Sequence, residues 1–427
     1  MNFYLQLGNL LFWFALELSR PTISFSLAER LESSTQLGAL LSFQSFLPLL
    51  LALPIGLAGD RIGPRKLLPL GSVLMLGSGT AYGISEWMPL TNGLYLALVL
   101  VAQLLYGLAW LLIWISIQSL LAQAGEQGES PNATSKRVNL LALTSSLGAL
   151  AGPAVSGLLY PRGGGSLIWE IFLSIGLMLL ALALRVNKLA IRRSAAPASP
   201  ASRTVAVPIE TETLACHPER YPPKREGTWS LLGGSLYTFV MLASLVLFFG
   251  SEFRSTFLPA YLTQQNLSTE QTGLILTIGA IGIGAIRLLI SLNVLKLKAK
   301  TAVALSLLMS VSGVCLLPVL QSDGVPALAF VSLLLACAVG IGEPVLISAI
   351  LNGANPAKRS LALAGRLTAN RAAMLLAPLC SGFAVQLAGP SAGIALIGGL
   401  LAALSAYAVW LFWRYEAYTY PVRRNIS

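Results

Sequence analysis

Apolar residues run through this chain in long blocks, about 4–28, 35–58, 67–87, 91–122, 138–160, 167–186, 229–262, 271–294, 301–320, 326–351, 361–387 and 391–413, bounded by charged or Pro/Gly-rich breaks. A helix needs roughly 20 apolar residues to cross a bilayer. The pattern therefore predicts an all-α integral membrane protein with twelve transmembrane helices. The longest polar interruption, residues 187–228, is rich in Pro, Ser, Arg and Glu and cannot bury a core. It reads as a disordered linker between two six-helix bundles, 1–186 and 229–413, with 414–427 as a polar tail. The first block starts almost at Met1 without a basic leader, so it reads as a retained helix.

Composition agrees with that reading. Of 427 residues 55% are hydrophobic and 11% charged, against roughly 25% charged in soluble domains. A soluble enzyme is excluded. The net charge of +11 turns out to be a statement about orientation. If the N-terminus is cytoplasmic, 21 of the 28 Lys and Arg fall in cytoplasmic connections, eight of them in or at the edge of the central linker. Arg30 and Arg162 alone fall outside, and five arginines lie within the apolar blocks. Such a bias places both termini in the cytoplasm and leaves no basic face for nucleic acid. The four cysteines lack CxxC spacing, so neither a metal site nor a disulfide framework is expected.

The two bundles carry traces of a repeat. A shift of 225 residues lays Gly152, Pro153, Ser156 and Gly157 of the fifth block on Ala377, Pro378, Ser381 and Gly382 of the eleventh. A shift of 234 pairs Arg20 and Thr22 of the first block with Arg254 and Thr256 of the seventh. Related halves are an expected transporter architecture, with the solute site at their interface near the bilayer midplane.

The run Gly56-Leu-Ala-Gly-Asp60-Arg61-Ile-Gly63-Pro64-Arg65-Lys66 resembles the G-x-x-x-D-R-x-G-R-K signature of the major facilitator superfamily. The resemblance covers the whole chain and implies that superfamily's fold of two pseudo-symmetric six-helix bundles. It also implies that Gly56, Asp60, Arg61, Gly63 and Arg65 form a conformational latch, in which Asp60 pairs with Arg61, Arg65 or a neighbouring helix N-terminus. Pro64 replaces one of the expected basic residues and weakens that charge network. Gly148, Gly152, Pro153 and Gly157 are similar to the antiporter motif of the superfamily's exporting branches. Their spacing makes a groove for a neighbouring helix, kinked at Pro153. The exporters' helix-four arginine is missing, and Gln103 stands in its slot.

Ionisable residues inside a membrane are costly and are functional candidates by default. Glu17 and Arg20 lie i,i+3 on one face of the first helix. Glu252 and Arg254 lie two apart in the seventh and are expected to pair with other helices. Glu343 lies in the tenth, Arg366 and Arg371 in the eleventh. Glu17, Glu252 and Glu343 are the candidate proton carriers. Arg20, Arg254, Arg366 and Arg371, with Gln103, Asn370, Trp13, Trp110, Trp114 and Phe257, are the candidate solute contacts. Arg287 sits near the inner boundary, where it is expected to snorkel.

These readings predict a secondary active transporter of the bacterial inner membrane that works as a monomer without cofactor. Its expected partners are the bilayer, a small-molecule solute, and protons or another coupling ion. The expected activity is proton-coupled export of an amphiphilic or zwitterionic solute such as a drug or metallophore. The alternatives are uptake of a small organic nutrient and a non-transporting sensor of the same fold.

Overall fold

The computed structural model describes residues 2–123, 131–195, 235–292, 294, 295, 297–353 and 359–424, and among them the backbone is helical almost throughout, with no strand. The first helices are α1 (Asn2–Arg30), α2 (Ser34–Ile62), α3 (Pro64–Trp87) and α4 (Asn92–Gln123). Pro131–Ala195 is one helical run broken at Gly164, whose φ of 61° and ψ of −162° suit only glycine. Its arms are α5 (131–163) and α6 (165–195). The rod α7 spans 235–264 and contains a wide π-helical turn at Phe253–Phe257. The remaining helices are α8 (Thr269–Ser291), α9 (Ala299–Leu320), α10 (Val325–Gly353), α11 (Arg359–Ala388) and α12 (Pro390–Arg424).

Among the described residues ten segments are long and apolar enough to cross a membrane, and one of them, Leu143–Leu189, covers both arms of the broken run. α1 is not one of the ten. Its polar residues explain why: Gln6, Asn9, Glu17, Ser19, Arg20, Thr22, Ser24 and Ser26 are all buried against other helices. In lipid the outside of a bundle is the apolar face, and the exposed Leu177, Leu184, Leu292, Leu308 and Leu396 fit that arrangement.

Three boundaries differ from the pattern reading. α6 continues to Ala195, past the expected end at 186, since Lys188, Leu189, Ala190, Arg192 and Arg193 are good helix formers. α12 likewise runs through Arg424 instead of stopping at 413. The fifth and sixth blocks are not joined by a loop, since the helix is interrupted only at Gly164. The rest of the central linker, residues 196–228 with His217 and Cys216, lies outside the described residues.

In the first half α1 packs along α5, and in the second α10 packs on α8 and α9. The halves meet through α2 with α11, α5 with α8, and α1 with α7. The first two of these contacts are built alike. A Cβ at Gly273 would lie 2.9 Å from the Pro153 carbonyl oxygen, and one at Gly157 would lie 2.8 Å from that of Thr269. Across the pseudo-axis, a Cβ at Gly38 would collide with the Pro378 carbonyl, and one at Gly382 with that of Ser34. Pro153 and Gly157 correspond to Pro378 and Gly382 by the 225-residue shift read in the sequence. The repeat is thus the imprint of two equivalent close approaches between the halves.

Both approaches lie toward the end of the molecule that carries residues 31–33, 265–268 and 389, away from the chain termini. Two further bonds join the halves at this distal end. The Ser34 amide donates to Gln386 Oε1 at 3.0 Å, and Gln264 Nε2 donates to the Leu31 carbonyl at 3.4 Å. The distal end is closed.

Gly148 and Gly152 act within the first half. A Cβ at Gly152 would sit 2.6 Å from both Glu17 C and Leu18 N. The backbone there is already opened, because Pro21 has no N–H to donate to the Glu17 carbonyl. Gly152→Ala should therefore push α5 off α1. Overpacking of this kind costs about 1–3 kcal/mol, which a lowered thermal midpoint of the detergent-purified protein would report; an unchanged midpoint contradicts the packing described.

Candidate functional site

The charged residues predicted from sequence separate into two clusters. The first lies where α1 meets α7. Arg20 Nη1 is 3.2 Å from Glu17 Oε1 on its own helix, and Nη2 is 3.4 Å from Glu252 Oε2 in the other half. The same guanidinium reaches Ser255 Oγ at 3.3 Å. All three charged groups are at least nine-tenths buried. An arginine suits this position because its planar fork can donate to two carboxylates at once, which a lysine ammonium does less well.

The wide turn in α7 explains how so many groups from one segment reach this point. Pro259 cannot donate to the Ser255 carbonyl, and the turn before it closes with Leu258 N–H bonding to the Phe253 carbonyl. Each polar residue of the turn finds a separate partner. Thr256 Oγ1 donates to Glu252 Oε1 at 2.5 Å, and Ser24 Oγ donates to the Thr256 carbonyl at 2.6 Å across the half interface. Arg254 turns the other way, into its own half, and donates to the Leu276 carbonyl of α8 at 3.3 Å. Arg20 and Arg254, related by the repeat, thus have different roles: one bridges the halves and the other does not.

Beside this cluster lies a narrow recess with about 10 Å³ of free space, room for roughly one water molecule, bounded by Arg20, Gln44, Ser45, Pro48, Gly107, Trp110, Arg371 and Met374. It draws on α1, α2 and α4 from one half and α11 from the other. Arg371 lies over the Trp110 ring at 3.5 Å, and its Nη1 is 3.2 Å from Met374 Sδ. Trp114 lies behind Trp110 with ring centres 6.3 Å apart, and Trp13 meets Trp114 edge to face at 5.5 Å.

Other predicted contacts fall outside the recess. Phe257 packs between Phe253 and Tyr261 at 5.6 and 6.5 Å, fully buried in a ring stack. Gln103 is fully buried with neither amide atom bonded, and Asn370 is buried with Oδ1 unbonded, among the described residues. None of the three is part of the recess wall.

The second cluster lies between α8, α10 and α11. Glu343 takes Arg287 Nη2 at 3.0 Å and lies 3.9 Å from Arg366 Nη2. Arg287, read from sequence as near the inner boundary, is about one-third exposed and pairs with Glu343 there. Glu343 has an arginine on each side, a partnership that sequence spacing cannot reveal because each residue comes from a different helix. Arg366 is therefore drawn to Glu343 and not to the recess. At the opposite end of the first half, α2 ends at Ile62 and Gly63 (φ 88°) leads into α3, with Pro64 in its first turn. Pro64 is suited to that place because its missing N–H is one that a helix start leaves unbonded anyway. Arg65 is exposed there, and the expected pairing of Asp60 lies outside the described side chains.

Sequence reasoning missed Ser24, Ser255 and Thr256, which tie the charges in place, and Gln44, Ser45 and Met374, which shape the recess. A general signal existed for the first group, since small hydroxyl residues in membrane helices mark helix–helix contacts. None existed for Met374, an ordinary membrane residue.

Two packed helical halves with buried charge at their junction define a multi-pass membrane carrier. Comparison with known proteins agrees. The family model of the Major Facilitator Superfamily matches residues 5–292 and again 240–425, and the chain belongs to that superfamily of transporters. An MFS-type transporter of the fungus Metarhizium rileyi (strain RCEF 4871), ppzB, is 26% identical over 185 residues, 43% of this chain and 35% of that relative. Among solved structures, the nucleoside transporter NupG superposes with a TM-score of 0.70 at 13% identity, covering 97% of this chain and 99% of that one. The peptide transporter POT in complex with alafosfalin superposes with a TM-score of 0.68 at 14% identity, covering 97% and 94%. At such identities the likeness extends to the fold alone.

Proposed function

We propose that this transporter exchanges protons for a small organic solute, exporting it across a bacterial inner membrane as a functional monomer with both termini in the cytoplasm. The observation that carries the reading is the bridge from Glu17 through Arg20 to Glu252 across the two halves. A buried pair of this kind is costly to break by halves, since one lost partner leaves an uncompensated charge. The empty, deprotonated carrier is therefore held with its distal end closed. Two occupants relieve the bridge. A proton on Glu252 removes the charge that Arg20 holds, and a solute group in the adjoining recess competes for Arg20. Because either one suffices, proton and solute alternate on the same element, which is antiport.

Orientation rests on the excess of Lys and Arg at the termini end, which makes the closed distal end the outer one. The likeness of Gly148, Gly152, Pro153 and Gly157 to the exporters' motif supports outward transport. The recess, lined by the Trp110 ring and by Arg20 and Arg371, suits an amphiphilic or zwitterionic solute of the drug or metallophore type.

Proteoliposomes loaded with a pH-sensitive dye test the coupling. Transport of an organic acid or zwitterion should move protons in the opposite direction in the wild type. Glu252→Gln should abolish solute-driven proton movement, and Glu17→Gln should weaken it. Solute-driven proton movement that persists unchanged in both variants would remove the two carboxylates from the role.

A further inference from the structure

We infer that the recess between Trp110 and Arg371 seats a compact anionic group of the solute, a carboxylate or phosphonate attached to a flat apolar body. The inference rests on the carrier reading of the recess and is independent of proton coupling.

The charge inventory at the half interface is uneven. Arg20, Arg254 and Arg371 are set against Glu17 and Glu252, and both carboxylates are engaged by Arg20. Among the described residues no carboxylate lies within salt-bridge distance of Arg254 or Arg371. Arg254 faces a backbone carbonyl of its own half, with its Nε buried and unbonded. It is sealed away from the recess wall.

Arg371 is different. It is half-buried, forms part of the recess wall, and among the described residues its contacts are an indole face and a thioether, with Glu252 acting on it only from beyond salt-bridge distance. Neither neighbour is an adequate counterion. A ring quadrupole offsets part of a desolvated cation's cost, and a thioether is a weak acceptor. A guanidinium so placed has several N–H donors in a fixed fork that matches the two oxygens of a carboxylate or phosphonate. Arg20 on the far wall adds a second positive field. Gln44 and Ser45 add neutral polar groups between them. The Trp110 face supplies the apolar surface on which a planar body stacks once Arg371 swings toward the anion. A purely cationic solute meets two arginines here and no free carboxylate.

Binding of radiolabelled benzoate to the full-length protein in nanodiscs, at fixed pH without a gradient, tests the inference. Unlabelled phenylphosphonate should displace it, while benzamide and benzamidine, of similar shape but neutral and cationic, should not. Arg371→Gln should weaken benzoate binding at least about tenfold, the scale of one charge-assisted hydrogen bond, and Arg371→Lys, which keeps the charge but loses the fork, should fall between that variant and the wild type. Should Arg371→Gln fail to fold, Ser45→Leu, which fills the recess and leaves the guanidinium intact, should abolish binding. The inference is overturned by absence of saturable benzoate binding to the folded wild type, by equal displacement with benzamide or benzamidine, or by wild-type affinity in Arg371→Gln or Ser45→Leu. Since no proton gradient is present, these results stand whether or not transport proves proton-coupled.

Discussion

Arg20→Gln is expected to abolish transport and to destabilise the folded protein by about 3–5 kcal/mol, the usual cost of removing one partner from a buried ionic group. The variant leaves Glu17 and Glu252 without their shared partner at the half interface, Glu252 keeping the bond from Thr256. The size of the effect comes from the carboxylates left behind and not from the worth of the bridge itself. The triple variant Arg20→Gln, Glu17→Gln, Glu252→Gln should therefore recover most of the lost thermal midpoint while remaining inactive. Arg20→Lys should fold and transport slowly, because one ammonium cannot present the guanidinium's fork to both acids. Thermal midpoints with initial transport rates separate these cases. A triple variant as unstable as Arg20→Gln alone would mean that the bridge is not the source of the destabilisation.

Gly38→Val should have the second largest effect, and a different kind of effect. Its side chain would meet the Pro378 carbonyl, a backbone atom that cannot rotate away, at the seam where α2 meets α11. The clash exists only when the distal end is closed. Each half keeps its own packing, so expression and stability should change little. A penalty of about 1–3 kcal/mol on one state shifts a two-state equilibrium by roughly 5- to 150-fold, trapping the carrier open at the distal end. Gly273→Val, its counterpart across the pseudo-axis, should behave the same way. Gly152→Ala should not, since that glycine lies within one half and its replacement should cost stability. Labelling of a cysteine introduced at Ser34 by a membrane-impermeant maleimide would report the opening. Unaltered labelling in Gly38→Val would show that the seam is not what closes this end.

The helical, membrane-embedded fold was plain in the sequence because lipid imposes it. Every crossing must be a long apolar helix, and the run at 187–228 cannot be one. The exception is instructive, since α1 was recognised as a block but is too polar to qualify as a membrane span by hydropathy. Its polar residues are spent on contacts inside the bundle, which a hydropathy window cannot distinguish from solvation. The repeat between Pro153-Gly157 and Pro378-Gly382 was also legible, but its meaning was not. Its meaning lies in Gly273 and Gly38, which stand opposite those residues in helices that carry no matching motif. The candidate site divides in the same way. Charges inside apolar runs singled out Glu17, Arg20, Glu252 and Arg371, and the structure brings these four to the half interface. Partnership escaped, because Arg20 with Glu252 and Arg287 with Glu343 are contacts between helices, set by crossing geometry. The wide turn before Pro259 was also invisible, although it decides that Glu252 and Ser255 face Arg20 while Arg254 does not.

The central claim is that the ionic bridge at Arg20 holds the two halves in the state closed at the distal end. Spin labels at Met88 and Ser322, exposed positions at that end on opposite halves, allow it to be measured by double electron–electron resonance in nanodiscs, with the native cysteines replaced. The account predicts one short distance at high pH, a second and longer population growing as the pH falls, and the longer distance at every pH in Glu252→Gln. A single unchanged distance in both proteins across the whole pH range would contradict it.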